Sequence, residues 1–171
     1  MIDKSTPIDF WCAFCYDLIG DDMELQQRKP NRLRNFDYSQ NGYYFITVCT
    51  TQKQKILCQI VGDDAHIVPT KYGTVVEKFI KTILGIDKYV IMPNHIHLII
   101  KNENGTMWAS SPTVSQKIKS FKTLVTKELH LPIFQRSFYD HIIRDEKDYL
   151  RIWEYIDTNP QKWATDKYYT E

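Results

Sequence analysis

Two histidines stand one residue apart in His95-Ile96-His97, and the apolar run continues as Leu98-Ile99-Ile100. On a strand, residues i and i+2 point to the same face, so the two imidazoles project together, about 6–7 Å apart along the chain. Histidine is the commonest side-chain metal ligand, and two imidazoles so placed can converge on one cation. The same spacing also describes two hydrogen-bonded histidines on a sheet face. A metal site needs a third ligand, and a reaction needs a nucleophile.

Both are on offer near the end of the chain. A helical stripe of Tyr149, Ile152, Trp153 and Ile156 recurs at i, i+3, i+4 and i+7. Tyr155 projects roughly 110° from the centre of that stripe at 100° per residue. Asn159, four residues later, falls on nearly the same flank. A phenol and a carboxamide thus share one side of a helix, away from its packing face. They are either a nucleophile beside a ligand, or a surface tyrosine beside a helix stop. Asp140 and His141 are candidates to accept a proton from the phenol, or else a polar pair on a strand. Cys12 and Cys15 form a CxxC, but Cys49 and Cys58 lack the spacing of a second ligand pair. Plain reduced thiols are the expectation.

These residues need a scaffold, and the hydropathy pattern predicts one. Tyr43–Thr50 is β-branched and aromatic, a strand. Residues 55–61 and 65–69 form an extended pair around Gly62-Asp63-Asp64. Residues 72–84 carry Val76, Phe79, Ile80 and Ile83 at helical spacing, and Gly85 is a plausible stop. Residues 88–92 and 95–101 are two strands joined at Pro93-Asn94, which pair antiparallel. Residues 103–111 are a polar loop bearing Trp108. Thr113 and Gln116 make a capping box for a helix whose core face is Val114, Ile118, Phe121, Val125 and Leu129. Its other face carries Lys117, Lys119, Lys122 and Lys127. Residues 137–144 are a last strand. Asp145 caps the helix from Glu146 to about Asp157, and Asn159-Pro160 ends it. The order predicts an α+β domain, an antiparallel sheet with helices packed on one face.

The chain has 171 residues, 43% apolar and 25% charged, which suits one compact globular domain. Net charge is +1, so any nucleic-acid partner is met by local patches such as Arg28, Lys29, Arg32 and Arg34 rather than by a global field. No run approaches the roughly 18 apolar residues of a membrane span. Asp3 and Lys4 interrupt any apolar leader, so a cytoplasmic location is expected. Residues 1–31 read as an N-terminal arm before a single domain over 32–171.

The segment from Tyr89 to His97 (YVIMPNHIH) resembles the His-hydrophobic-His motif of the single-tyrosine HUH transposases. Three further segments resemble the branch called REP-associated tyrosine transposases. They are residues 35–39 with 43–47, Ser120-Phe121-Lys122, and residues 138–144 with 155–160. The likeness runs from about Arg32 to Trp163, with its motifs in order. It implies a ferredoxin-like or RRM-like sheet and a C-terminal helix carrying the nucleophile. It implies that His95 and His97 bind Mg²⁺ or Mn²⁺, with Asn159 at the position of a third ligand, and that Tyr155 attacks phosphorus. The activity implied is metal-dependent cleavage and rejoining of single-stranded DNA at hairpins through a 5′-phosphotyrosine. A relative that only binds DNA hairpins is the alternative. Some members are dimers that exchange the tyrosine helix and others are monomers, so a homodimer is one expectation. DNA contacts are expected from Arg32, Arg34, Lys117, Lys119 and Lys122, with Trp108 or Trp163 stacking on unpaired bases. A two-histidine phosphoesterase would need a second His-x-Thr/Ser motif, which His66, His130 and His141 do not supply. A non-catalytic RRM-like binder would need aromatics where His95 and His97 stand.

Overall fold

Alternating strands and amphipathic helices close into one sheet flanked on both faces. The computed structural model describes residues 40–103 and 112–169. Strand β1 is Gly42–Cys49, followed by a short hairpin of β2 (Cys58–Val61) and β3 (His66–Pro69). Helix α1 spans Lys71–Ile80, then β4 (Ile86–Ile91), β5 (His95–Asn102), α2 (Val114–Leu129), β6 (Tyr139–Ile143) and α3 (Glu146–Thr158). The main sheet runs β4-β5-β1-β6, with each neighbouring pair antiparallel. Apart from the β2–β3 hairpin, this is the βαββαβ order of a ferredoxin-like domain, as the sequence predicts.

The two faces of the sheet are separated by strand parity. Tyr44, Ile46 and Val48 on β1 and Ile96, Leu98 and Ile100 on β5 face α1 and α2, and build the larger core with Val76, Ile80, Ile118 and Phe121. The odd residues Tyr43 and Phe45, with Ile99, Val90 and Ile143, face α3, where Ile152 and Ile156 cover them. So α1 and α2 pack on one face, and α3 closes the other. His95 and His97 share the parity of Ile99 and stand on the α3 face.

Local chemistry sets the ends of the elements. Thr70 caps α1 through its side chain, so the helix begins at Lys71, one position before the predicted start. The helix stops at Ile80, short of residue 84, because Thr82 and Ile83 bond three residues back to Phe79 and Ile80. Gly85 then turns the chain at φ +81°, and its carbonyl accepts from the Lys101 amide. The capping box at Thr113 forms as read. Met92 donates to the His95 carbonyl across Pro93-Asn94, a two-residue turn that delivers β4 into β5. Helix α3 is fastened to β4 by Tyr149, whose hydroxyl donates to Asp87 at 2.6 Å, and by Lys88. Lys88 lies 3.8 Å from the Trp153 ring centroid and pairs with Asp157 at 2.5 Å. Among the described residues no helix is long and apolar enough to cross a membrane.

Candidate active site

Strand β5 begins with His95, so both histidines emerge at the start of a central strand. Both are fully buried. Their Nε2 atoms lie 3.0 Å apart and face one another. Thr47 is the direct cross-strand partner of His97, and its Oγ1 sits 2.8 Å from His97 Nδ1. Asn94 occupies the turn before His95. Its Nδ2 donates to the Tyr168 carbonyl at 2.8 Å, which leaves Oδ1 turned to His95 Nδ1, also at 2.8 Å. An amide oxygen only accepts, so the proton of His95 belongs on Nδ1 and its Nε2 presents a bare lone pair. Burial holds the His95 imidazolium far down, to about 4, and pushes His97 well below the ordinary range. Both rings are therefore neutral near pH 7, the state in which imidazole binds metal.

Helix α3 brings Tyr155 over this pair. Its hydroxyl is 3.3 Å from His97 Nε2, and Phe45 meets its ring edge-on at 6.1 Å. The same hydroxyl donates to Asp166 Oδ2 at 3.2 Å. Asp166 follows the 3-10 turn Trp163–Thr165, which brings the chain back beneath α3. It also accepts from Asn159 Nδ2 at 3.0 Å and from the Tyr168 amide at 2.6 Å. Burial raises the phenol to about 12, and the charge of Asp166 pushes the same way. Tyr168 lies over the histidines, 4.7 Å from the His95 ring.

The donor atoms fit a cation. Ligand atoms of His95, His97 and Asp166 all lie within 4.8 Å of one another. Two neutral imidazoles and one carboxylate suit a divalent first-row metal. Asn159 offers a fourth donor atom, a second oxygen: its Oδ1 is buried and has no hydrogen-bond partner. Buried acceptors are almost always satisfied, so this one calls for an occupant.

The structure therefore gathers His95, His97, Tyr155 and Asn159 at one point. Asp140 and His141 lie elsewhere. His141 bonds Asp148 at 2.7 Å near the other end of α3, and Asp140, opposite Ile46, faces the α1–α2 side. Helix α2 lies on the sheet face away from the histidines. There Lys117 is buried, and Lys122 donates to the carbonyls of Gln135, Arg136 and Ser137. Lys119 stays exposed. Arg32, Arg34, Trp108, Cys12, Cys15 and the arm 1–31 lie outside the described residues. Sequence reasoning missed Asp166, Thr47 and Tyr168, and read Asn94 only as a turn. Strand register would have paired Thr47 with His97. No periodic signal marks Asp166.

No family model matches the chain. An uncharacterized protein of Haemophilus influenzae is 31% identical over an alignment of 178 residues, covering 86% of this chain and 96% of that protein. A second protein of that organism, named "Putative REP-associated tyrosine transposase", is 28% identical over 142 residues, 74% of each chain. In fold, the chain is similar to a solved REP-associated tyrosine transposase bound to a REP hairpin. The TM-score is 0.57 at 24% identity, over 80% of this chain and 76% of that one.

Proposed function

The chain belongs to the family of REP-associated tyrosine transposases, and from that premise we propose that it cleaves and rejoins single-stranded DNA beside a hairpin through Tyr155. The observation that carries this reading is a phenol, that of Tyr155, hydrogen-bonded both to a candidate metal ligand, His97, and to a carboxylate, Asp166. His95, His97 and Asp166 would hold a divalent cation, with the Asn159 amide oxygen as a further ligand. Bound there, the cation supplies Lewis-acid stabilisation of charge on the scissile phosphate. Mg²⁺ prefers oxygen ligands and its own waters, so two imidazole nitrogens favour Mn²⁺.

The protein's own groups do the rest. The Tyr155 oxygen attacks phosphorus, the bond to the 3′-oxygen breaks, and a 5′-phosphotyrosine and a free 3′-hydroxyl result. The phenolic proton leaves along the existing hydrogen bond toward Asp166. That help is needed, because a phenol raised to about 12 is ionised in only about one molecule in 10⁵ at pH 7. The covalent link conserves the phosphodiester energy, so a second 3′-hydroxyl can displace the tyrosine and reseal the strand. Asn94 and Thr47 hold the imidazoles in place, and Asp166 orients the phenol.

The test uses purified protein, Mn²⁺ and labelled hairpin oligonucleotides with unpaired flanks. The expected product is a labelled strand that stays on the protein in a denaturing gel. Tyr155→Phe should abolish the adduct and retain DNA and Mn²⁺ binding. An adduct in Tyr155→Phe would overturn the choice of nucleophile. Tight hairpin binding with no adduct from the unaltered protein would select the alternative, a hairpin-binding relative without cleavage.

A further inference from the structure

The mouth of the site carries a run of aromatic rings with lysines set over them, which the chemistry above does not use. Tyr139 on β6 and Tyr169 near the chain end are large rings left 50% and 40% exposed. Between them the contacts are continuous. Tyr139 meets Tyr168 at 6.2 Å, Tyr168 meets His95 at 4.7 Å, His95 meets Trp163 at 6.0 Å, and Trp163 meets Tyr169 at 5.2 Å. The run includes a candidate metal ligand, His95, which like Tyr168 is buried, so the rings open to a base are its two ends, Tyr139 and Tyr169.

Lysines follow the same path. Lys53 lies 5.7 Å and Lys167 4.8 Å from the Tyr168 centroid, and Lys55 lies 5.4 Å from that of Tyr169. Lys53 and Lys167 are close enough to bear electrostatically on His95. Four lysines elsewhere are spent on carboxylates: Lys78 on Glu128, Lys81 on Glu77, Lys88 on Asp157 and Lys101 on Glu103. Among the described residues no carboxylate pairs with Lys53 or Lys167. The α2 face, by contrast, has buried or engaged two of its lysines and lies behind the sheet.

We infer that this aromatic-lysine run is the track along which an unpaired DNA strand lies as it meets the site. Stacking on rings is indifferent to base identity, and lysines neutralise the phosphates between stacked bases. Neither a duplex, whose bases are already stacked, nor an acidic peptide needs both features in alternation. The inference rests on the proposed DNA chemistry for its substrate, but binding is separable from cleavage.

The experiment measures anisotropy of a fluorescein-labelled ten-nucleotide oligo(dT), with a ten-base-pair duplex as comparison. All measurements use the Tyr155→Phe background, so no adduct contributes. Tyr139→Ala and Tyr169→Ala should each weaken oligo(dT) binding about tenfold, within the range for one stacked base. Both should leave duplex binding unchanged. Because both rings are exposed, melting temperature and Mn²⁺ affinity should hold, which reports intact folding. Lys53→Gln with Lys55→Gln should lower the slope of log affinity against log salt by about 1.4, at about 0.7 per phosphate contact on a single strand. Unchanged oligo(dT) affinity in the tyrosine variants, equal loss on duplex, or an unchanged salt slope would each overturn the track. A failed track with a normal adduct in the unaltered protein leaves the nucleophile assignment standing. A missing adduct with normal oligo(dT) binding does the reverse.

Discussion

At the scale of single residues, the site turns on which oxygen completes the cation's shell. Asp166 brings a charge to two neutral imidazoles, whereas the orphaned Asn159 Oδ1 brings only a dipole. A full charge in a buried site outweighs a dipole, so Asp166→Asn should weaken Mn²⁺ binding more than Asn159→Leu does. Titration followed by the Mn²⁺ electron spin resonance signal would show it; a larger loss in Asn159→Leu would move the third ligand to the amide. Thr47 acts one step further out. Its hydroxyl, 2.8 Å from His97 Nδ1, fixes the ring that must aim Nε2 at the cation. Such supporting partners typically matter by about 10- to 100-fold in metal affinity. Thr47→Val, which keeps the volume and removes the hydroxyl, should show a loss in that range, and Thr47→Ser should restore most of it. Equal affinity in Thr47→Val would mean that packing alone orients His97. The histidine pair was legible in the sequence because period two is a local property. Thr47 was not, because its partner lies 50 residues away and depends on register. Asp166 was invisible for another reason: the chain reverses after Pro160 through a short 3-10 turn, and nothing periodic carries a side chain around it.

At the scale of elements, the site is two halves on two supports. The metal half stands on β5, braced by β1 on one side and β4 on the other. The nucleophile half rides on α3, whose angular placement of Tyr155 and Asn159 was readable from 100° per residue. The same arithmetic explains the lysines of α2. Lys117 and Lys122 lie only roughly 60–80° from the centre of the apolar stripe, so their stems join the buried flank while Lys119 points outward. Spacing alone could not say that α2 would cover the face behind the histidines; that depends on strand parity and on right-handed crossovers. What aligns the two halves is the clamp between α3 and β4, where Lys88 is held between the Trp153 ring and Asp157. Lys88→Gln keeps the stem and loses the cation. The expected outcome is unchanged Mn²⁺ affinity, because the histidines stand on the sheet, with an adduct rate lowered about tenfold or more, since small misplacement of a nucleophile is costly. Loss of metal binding in Lys88→Gln would show that helix and sheet are not separable supports.

At the scale of the whole molecule, burying two imidazoles beside each other ties the stability of the fold to pH. In the unfolded chain a histidine takes up a proton near pH 6.5. In the folded protein, burial holds His95 down to about 4 and His97 well below its ordinary range. Between those limits the unfolded state binds more protons than the folded state, so stability rises with pH and falls as the solution is acidified. The window runs from about pH 6.5 down toward 4, and each histidine contributes a slope of at most about 1.4 kcal/mol per pH unit. Urea midpoints of the metal-free protein should therefore drop steeply between pH 6.5 and 5, before most carboxylates titrate. In a His95→Asn, His97→Asn double variant the drop over that interval should largely vanish. Mn²⁺ binds only the folded state with neutral imidazoles, so adding it should raise the midpoint at pH 7 and lose its effect toward pH 4. A wild-type midpoint that stays level from pH 6.5 to 5 would mean the histidines accept protons in the folded protein. Their paired Nε2 atoms would then not be held as a neutral ligand pair, and the metal half of the site would lose its main physical support.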